Sequence, residues 1–281
     1  FVAKVNKVAP SYGVWHTPEK HQGVEAQWMW YNGDTRLKEQ FAREVVGDSI
    51  GAYFRYKFDK DEVVELKVGI SYVSIANARE NLEKEIGNRT FDEVYATTRQ
   101  TWNDALRATV EGGTDDQKTI FYTALYHALI HPNLLNDVNG DYPESKTNKI
   151  GKNHQRYTVF SLWDTYRNYH QLLTLLYPEQ QLQMVRTMLD IYKESGWLPK
   201  WELNSTETFT MVGDPASIVL ADTYLRGLTD FDIQTAYEAM LKGANTLENN
   251  PIRPGVKEYW KLGYLSVDGG VKGPVSTTQE Y

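Results

Sequence analysis

A chain of 281 residues with 41% hydrophobic and 24% charged positions is long and apolar enough to bury a core, which excludes the disordered and fibrous classes. Its 30 basic and 37 acidic residues leave a net charge of −7, the wrong sign for gripping a nucleic-acid backbone, and no run of about eighteen apolar residues offers a membrane span. Cysteine is absent, so disulfides, thiolate catalysis and thiolate-ligated metal centres are excluded while the redox compartment stays open.

The chain opens on FVAKVNKVAP, with neither a start methionine nor an apolar signal segment, which points to a processed or partial chain. Residues 1–73 carry the period of strands. FVAKV, SIGAYFRYKF and VVELKVGISYV are rich in β-branched and aromatic residues, with Gly, Asp, Asn and Pro between them, as in part of a β-sandwich. In the second segment Ile50, Ala52, Phe54, Tyr56 and Phe58 fall on one face, predicted to pack, and Arg55 and Lys57 on the other, predicted to meet water.

From Ser74 the period becomes helical. Ile75, Ala78, Leu82 and Ile86 recur at helical intervals, so residues 74–89 read as a helical linker. Residues 90–281 form a second, helical domain. Thr90 with Glu93 and Thr114 with Gln117 are capping boxes that announce an outer helix and then QKTIFYTALYHALIHP, apolar on nearly every side and predicted to be buried. DTYRNYHQLLTLLY follows, then PEQQLQMVRTMLDIYKESG with Pro178 at its first position and a stripe of Leu182, Val185, Met188, Leu189 and Tyr192. DPASIVLADTYLRGL and DFDIQTAYEAMLKGAN complete three helical hairpins. No fixed-period repeat marks a solenoid, so the hairpins point to part of a helical toroid, three being too few to close one.

Loops 136–163, 196–214 and 248–281 follow helices and would converge on the axis of such a ring. Aromatic residues make up 13% of the chain, including 8 Trp and 19 Tyr, many beside polar neighbours. A sugar presents an apolar C–H face and a rim of hydroxyls, which such surfaces suit, although large rings also simply fill cores. Trp163, Asp164, Tyr166 and Arg167 stand together at a loop-to-helix junction: Asp164 either accepts hydrogen bonds from vicinal hydroxyls or completes a capping box with Ser161. Trp197, Trp201, Glu202, Glu207 and Asp214 crowd the next loop. Glu202, flanked by apolar residues, either acts as an acid with a raised pKa or pairs with Lys200 at the surface; Asp214 before Pro215 reads as an N-cap. His127 and His131 are four apart, but Ala128 stands where a zinc protease needs Glu, so rim-bonded or buried imidazoles are expected instead of metal ligands.

The segments LKVGISYVSIANARENLEKEI, FSLWDTYRNYHQLLTLLYP, GWLPKWELNSTETFTMVGDPA and GPVSTTQEY, in that order, resemble bacterial glycoside hydrolase family 92, the calcium-dependent exo-acting α-mannosidases, often α-1,2. The resemblance implies an α+β multidomain fold with a β-sandwich, a helical linker and an (α/α)6 toroid, of which this chain holds part of the first, the linker and part of the last. It implies an inverting mechanism on mannose-containing glycans, with one carboxylic acid protonating the leaving oxygen and a carboxylate activating water, and calcium holding sugar hydroxyls. It places Asp164 as a sugar-binding aspartate shaped by Trp163 and Arg167, with Trp197, Trp201 and Glu202 as rim or subsite residues. The family's general acid, general base and calcium ligands lie in Glu-Gly…Trp-Gln-Tyr, Asp-Glu-Asp-Asn-Gly-like and Asn-Glu-Pro-x-His segments, none of which occurs here. All would follow Tyr281, so the catalytic groups are expected outside this chain, on the remainder of the same enzyme. The setting implied is periplasmic, extracellular or on a bacterial surface. The alternative of another class is a non-catalytic carbohydrate-binding or interaction module; a further one is a self-contained site with Glu202 and Asp214 as acid and base.

Overall fold

The computed structural model describes residues 1–17, 36–47, 49–152 and 154–281. The chain is mixed α+β and divides into two compact units, residues 3–68 and residues 69–281 together with 1–2.

In the smaller unit, strands β1 (Val2–Val5) and β5 (Leu66–Gly69) pair, and β2 (Ser11–His16) is the centre of a three-stranded antiparallel sheet between β3 (Leu37–Gln40) and β4 (Ile50–Arg55). Sequence pattern finds β1, β4 and β5 but not β2, whose alternation Gly13 interrupts, nor β3, which is charged and fully exposed. Gly51 has a steric reason: a Cβ there would strike the Trp15 ring lying across it. The face of β4 expected to pack does not do so. Ile50, Phe54 and Phe58 are exposed, and Ala52, Phe54 and Tyr56 look into an open concavity of about 480 Å³ shared with Ala3, Val5, Tyr12 and Val14. No second layer among the described residues covers that face, so the period-two pattern is present without the burial it usually signals.

The larger unit begins with α1 (Ile75–Glu85), capped by Ser74 Oγ accepting from Asn77 N at 3.0 Å. It is docked by the buried carboxylate of Asp137, which accepts from Ser71 Oγ at 2.7 Å, Asn77 Nδ2 at 2.8 Å and Asn81 Nδ2 at 2.7 Å. Both capping boxes form as read, at the heads of α2 (Phe91–Ala105) and α3 (Asp115–Ala128). The expectation that α3 is buried fails. Only Leu125 is buried in it, and Ile120 is 69% exposed. An all-round apolar surface needs neighbours on every side, and the described residues supply them on one.

The polar stretch after α3 carries short ladders: β6 (Asn133–Leu134) with β9 (Tyr157–Thr158), and β7 (Tyr142–Pro143) with β8 (Ile150–Gly151). Strand β10 (Phe160–Ser161) then pairs with β11 (Trp201–Leu203), which pairs with β12 (Thr206–Glu207). The run DTYRNYHQLLTLLY is not one helix. It breaks into α4 (Leu162–Thr165) and α5 (Tyr169–Leu176) around a turn at 166–168. Helix α6 (Pro178–Ser195) starts on Pro178 and stops at Gly196, whose φ of 85° and N–H bond to Tyr192 O at 2.8 Å form a left-handed cap. Its stripe of Leu182, Val185, Met188 and Leu189 is buried, and it centres the core with Leu173 of α5, Ala216, Val219 and Leu220 of α7 (Pro215–Leu225), and Ala236 and Ala239 of α8 (Ile233–Asn245). Truncating one such leucine to alanine costs about 2–5 kcal/mol. Helices α9 (Val256–Leu262) and α10 (Pro274–Glu280) complete the chain.

Candidate active site

The loop after β9 is fixed from below by a buried ion pair. Arg156, fully buried, donates from Nη1 and Nη2 to Glu194 of α6 at 3.0 and 2.8 Å and from Nη2 to Ser145 Oγ at 3.2 Å, with its guanidinium 5.3 Å from the Tyr142 ring centroid. Burial raises the Glu194 carboxyl more than Arg156 draws it down. A second buried carboxylate, Glu202, accepts from Thr158 Oγ1 at 2.9 Å, Val159 N at 3.1 Å and Ser205 N. Val159 and Ser205 hold φ of 65° and 66°, a region β-branched Val rarely enters, and the Glu202 carboxylate collects the N–H groups that this geometry turns inward.

Glu202 is 0% exposed, makes no ion pair with Lys200, and has burial as the main cause of its raised pKa. It shapes the loop from inside. Glu207 does the same, accepting from Lys200 N at 2.8 Å, Trp201 N at 3.0 Å and Phe209 N at 2.6 Å. Asp214 is not the helix cap its position before Pro215 suggests. Its Oδ2 accepts from Arg253 Nε at 2.7 Å and Ser217 Oγ at 2.8 Å, with no bond to a helix amide. A half-buried Arg partner 39 residues on outcompetes the local amides. With Glu202 enclosed and Asp214 paired, neither carboxylate is open to a substrate as a self-contained acid–base pair requires.

The three loops do meet. Ladder β10–β11 sets Ser161 opposite Trp201, Leu162 N donates to Lys200 O at 3.3 Å, Arg253 reaches Asp214, and Glu280 of α10 lies against Gly213. At this meeting point stands α4. Asp164 is exposed and accepts from Ser161 Oγ; the hydroxyl bonds to the carboxylate instead of capping the helix, which has no side-chain cap. The Arg167 guanidinium lies over the Trp163 and Tyr166 rings at 4.6 and 4.8 Å, and its Nη1 donates to Trp163 O at 3.1 Å. Trp197 is also covered: Lys242 Nζ sits 4.6 Å from its ring and donates to Gly196 O at 2.6 Å. Trp201 carries no such cation among the described residues and is half-buried. Lys200, 2% exposed, is brought down to about 8 by burial, opposed by Asp214, Glu207 and Glu280.

Glu280, Lys200 and Arg253 enter the site without being foreseen as site residues, and Asp214, offered as half of a self-contained acid–base pair, enters it as the partner of Arg253 instead. Each depends on a contact across tens of residues, and no local period signals it. Among the described residues no three or more His, Cys, Asp or Glu side chains gather to hold a metal ion. His127 and His131 are both exposed, and His131 Nδ1 bonds Asn133 Oδ1 at 2.5 Å.

A model of the glycosyl hydrolase family 92 catalytic domain matches residues 77–281. The chain belongs to glycosyl hydrolase family 92. An uncharacterised secreted glycosidase of Arthroderma benhamiae is 30% identical over 215 residues, covering 72% of this chain and 23% of that protein. Among solved family 92 structures, an inverting mannosidase of Bacteroides thetaiotaomicron superposes with a TM-score of 0.82 at 27% identity, over 99% of this chain and 36% of that one. An α-mannosidase of the same organism gives 0.78 at 28% identity over the same shares, and was also solved in complex with mannoimidazole. The chain therefore spans little more than a third of its solved relatives and under a quarter of the fungal one. The α4 cluster and all three loops fall inside the family match.

Proposed function

We propose that this chain is part of an exo-acting, calcium-dependent, inverting α-mannosidase, probing α-1,2-linked mannose in mannose-rich glycans outside the cell. In this reading residues 1–73 belong to a β-sandwich, 74–89 to a linker and 90–281 to part of an (α/α)6 toroid, and the general acid, general base and calcium ligands follow Tyr281. The observation that carries it is the convergence of three loops of a family 92 domain on α4, where an exposed carboxylate, Asp164, is held in place by Ser161 beside Arg167.

What these residues do is bind and orient. Asp164 accepts hydrogen bonds from sugar hydroxyls, and its Ser161 partner fixes the direction in which its lone pairs point. Arg167, stacked on Trp163 and Tyr166, supplies donors whose position two rings restrain. Ladder β10–β11 holds Trp201 at the same rim. An inverting reaction needs the scissile bond placed between an acid and a water-activating base, so a misplaced sugar loses rate as well as affinity.

The test is hydrolysis of α-1,2-mannobiose by the full-length protein and by the 281-residue chain, with and without a chelator. Turnover by the full-length protein that the chelator abolishes, and none by the 281 residues, is expected. Chelator-sensitive turnover by the 281 residues alone overturns the placement of acid and base; mannose binding by the full-length protein without hydrolysis favours the non-catalytic binding module. In the active enzyme Asp164→Asn should lower kcat/KM by roughly ten- to a hundred-fold, the worth of a hydrogen bond to a charged acceptor. Unchanged kinetics would remove Asp164 from the sugar site.

A further inference from the structure

Glu280 is the residue in this cluster whose chemistry nothing yet described uses. Its side chain is 2% exposed, yet neither carboxyl oxygen makes a hydrogen bond. Arg167 Nη2 stands 4.0 Å from Oε1, and Tyr166, Arg167 and Lys200 favour its charge while Asp214 opposes it, but none comes within close hydrogen-bond reach of either oxygen. The Trp163 indole Nε1 is likewise buried and unbonded, and the same Arg167 lies over that ring. An acceptor and a donor are thus both shut from water without a close hydrogen-bond partner around one guanidinium. Each such group costs free energy that an apolar side chain of equal size would avoid. Arg167, whose side chain is 44% exposed and long enough to swing, lies against both residues.

We propose that Glu280 is a substrate-binding residue, its carboxyl accepting a hydroxyl of the pyranose seated beside Asp164, with Trp163 Nε1–H donating to the same sugar once Arg167 moves aside. This deepens the mannosidase reading and rests on it. The ligand class follows from the two orphans: a neutral polyol carries donor and acceptor in each hydroxyl, whereas a carboxylate or phosphate would be repelled by Glu280 and an ammonium would leave the indole N–H unmet. Gly213 belongs to the same arrangement. A Cβ at that position would overlap the Glu280 carboxyl, so only glycine lets Glu280 lie where it does.

The experiment uses the full-length protein and a set of monodeoxy methyl α-mannosides as inhibitors. In the wild type, one deoxy position should weaken binding by roughly ten- to a hundred-fold, and in Glu280→Gln that same penalty should shrink to under about three-fold while the other positions keep theirs. Gly213→Ala, which displaces the carboxyl without removing it, should lose the same discrimination and decides the matter if Glu280→Gln does not fold. A uniform weakening across the set in the folded variant, or an unchanged pattern, overturns the assignment and leaves Glu280 structural. A wild type that neither binds methyl α-mannoside nor hydrolyses mannobiose refutes the mannosidase reading instead.

Discussion

The His170 imidazole supplies a pH test of the core beneath the site. It is buried between helices: Nδ1 donates to Gln181 Oε1 at 2.9 Å, Gln181 Nε2 donates to Thr223 Oγ1 at 2.8 Å, Thr223 donates to Val219 O at 2.7 Å, and on the other side Nε2 faces Thr165 Oγ1 at 3.2 Å. Burial holds the ring down to about 4 from 6.5, against the Gln181 bond and the distant Asp222 charge, which favour protonation. The unfolded chain therefore takes up this proton first as pH falls. The stabilisation is complete above pH 6.5, erodes below it, and is gone near pH 4. At about 1.4 kcal/mol per pH unit the whole loss is about 3 kcal/mol, with about 2 kcal/mol of it reached by pH 5. Glu194, Glu202 and Glu280, raised by burial, work the other way and add stability as pH falls, so the wild-type curve alone mixes both signs. The difference between wild type and His170→Phe isolates the imidazole. Urea unfolding followed by tryptophan emission from pH 7 to 4.5 should show His170→Phe less stable at pH 7, by about 1–3 kcal/mol for the orphaned Gln181, with the two curves approaching one another in acid. Curves that stay parallel over that range would mean that His170 is not buried neutral and that the packing of α5 on α6 has been misread.

Arg156→Ala should cost about 3–5 kcal/mol in urea unfolding because it strands Glu194, whereas replacing Arg156 and Glu194 together by methionine should cost less than the two single changes added. Glu202→Gln keeps the shape but halves the acceptor capacity, leaving one of the Val159 and Ser205 N–H groups unmet; a loss of about 1–3 kcal/mol and faster proteolysis within residues 203–211 are expected, and unchanged protection would contradict the inward role assigned to this carboxylate.

Much of the helical unit is legible in the sequence because its signals are local. The capping boxes at Thr90 and Thr114 need only four residues each, Pro178 and Gly196 mark both ends of α6, and the α6 stripe is a period that any packed helix must show. The exposed faces of α3 and β4 misled for the converse reason: periodicity reports which face is apolar, while burial depends on what lies opposite. The site is half legible. Trp163, Asp164 and Arg167 fall within one short stretch and announce themselves, but Asp214 looks like a cap until Arg253 arrives from 39 residues away, and Glu202 looks like a surface acid until the Val159 and Ser205 amides are seen to turn toward it. Glu280 sits in an unremarkable final helix, and its meaning exists only against Gly213, Arg167 and Lys200.

The aromatic wealth of the chain suggests stacking platforms, and the geometry argues for something more selective. Arg167 already occupies the Trp163 and Tyr166 faces, and Lys242 occupies that of Trp197. A sugar approaching α4 would have to displace a stacked guanidinium, at a cost near 1 kcal/mol for an exposed cation–π contact, before it could lie on either ring. Stacking tolerates any pyranose with a flat C–H face, so a site resting on it would discriminate weakly. Hydrogen bonds to a directed acceptor such as Asp164, held by Ser161, fail when a hydroxyl points the wrong way. On the proposed mannosidase reading, the cluster at α4 would read hydroxyl configuration through Asp164, with the Trp163 and Tyr166 rings holding Arg167 beside it.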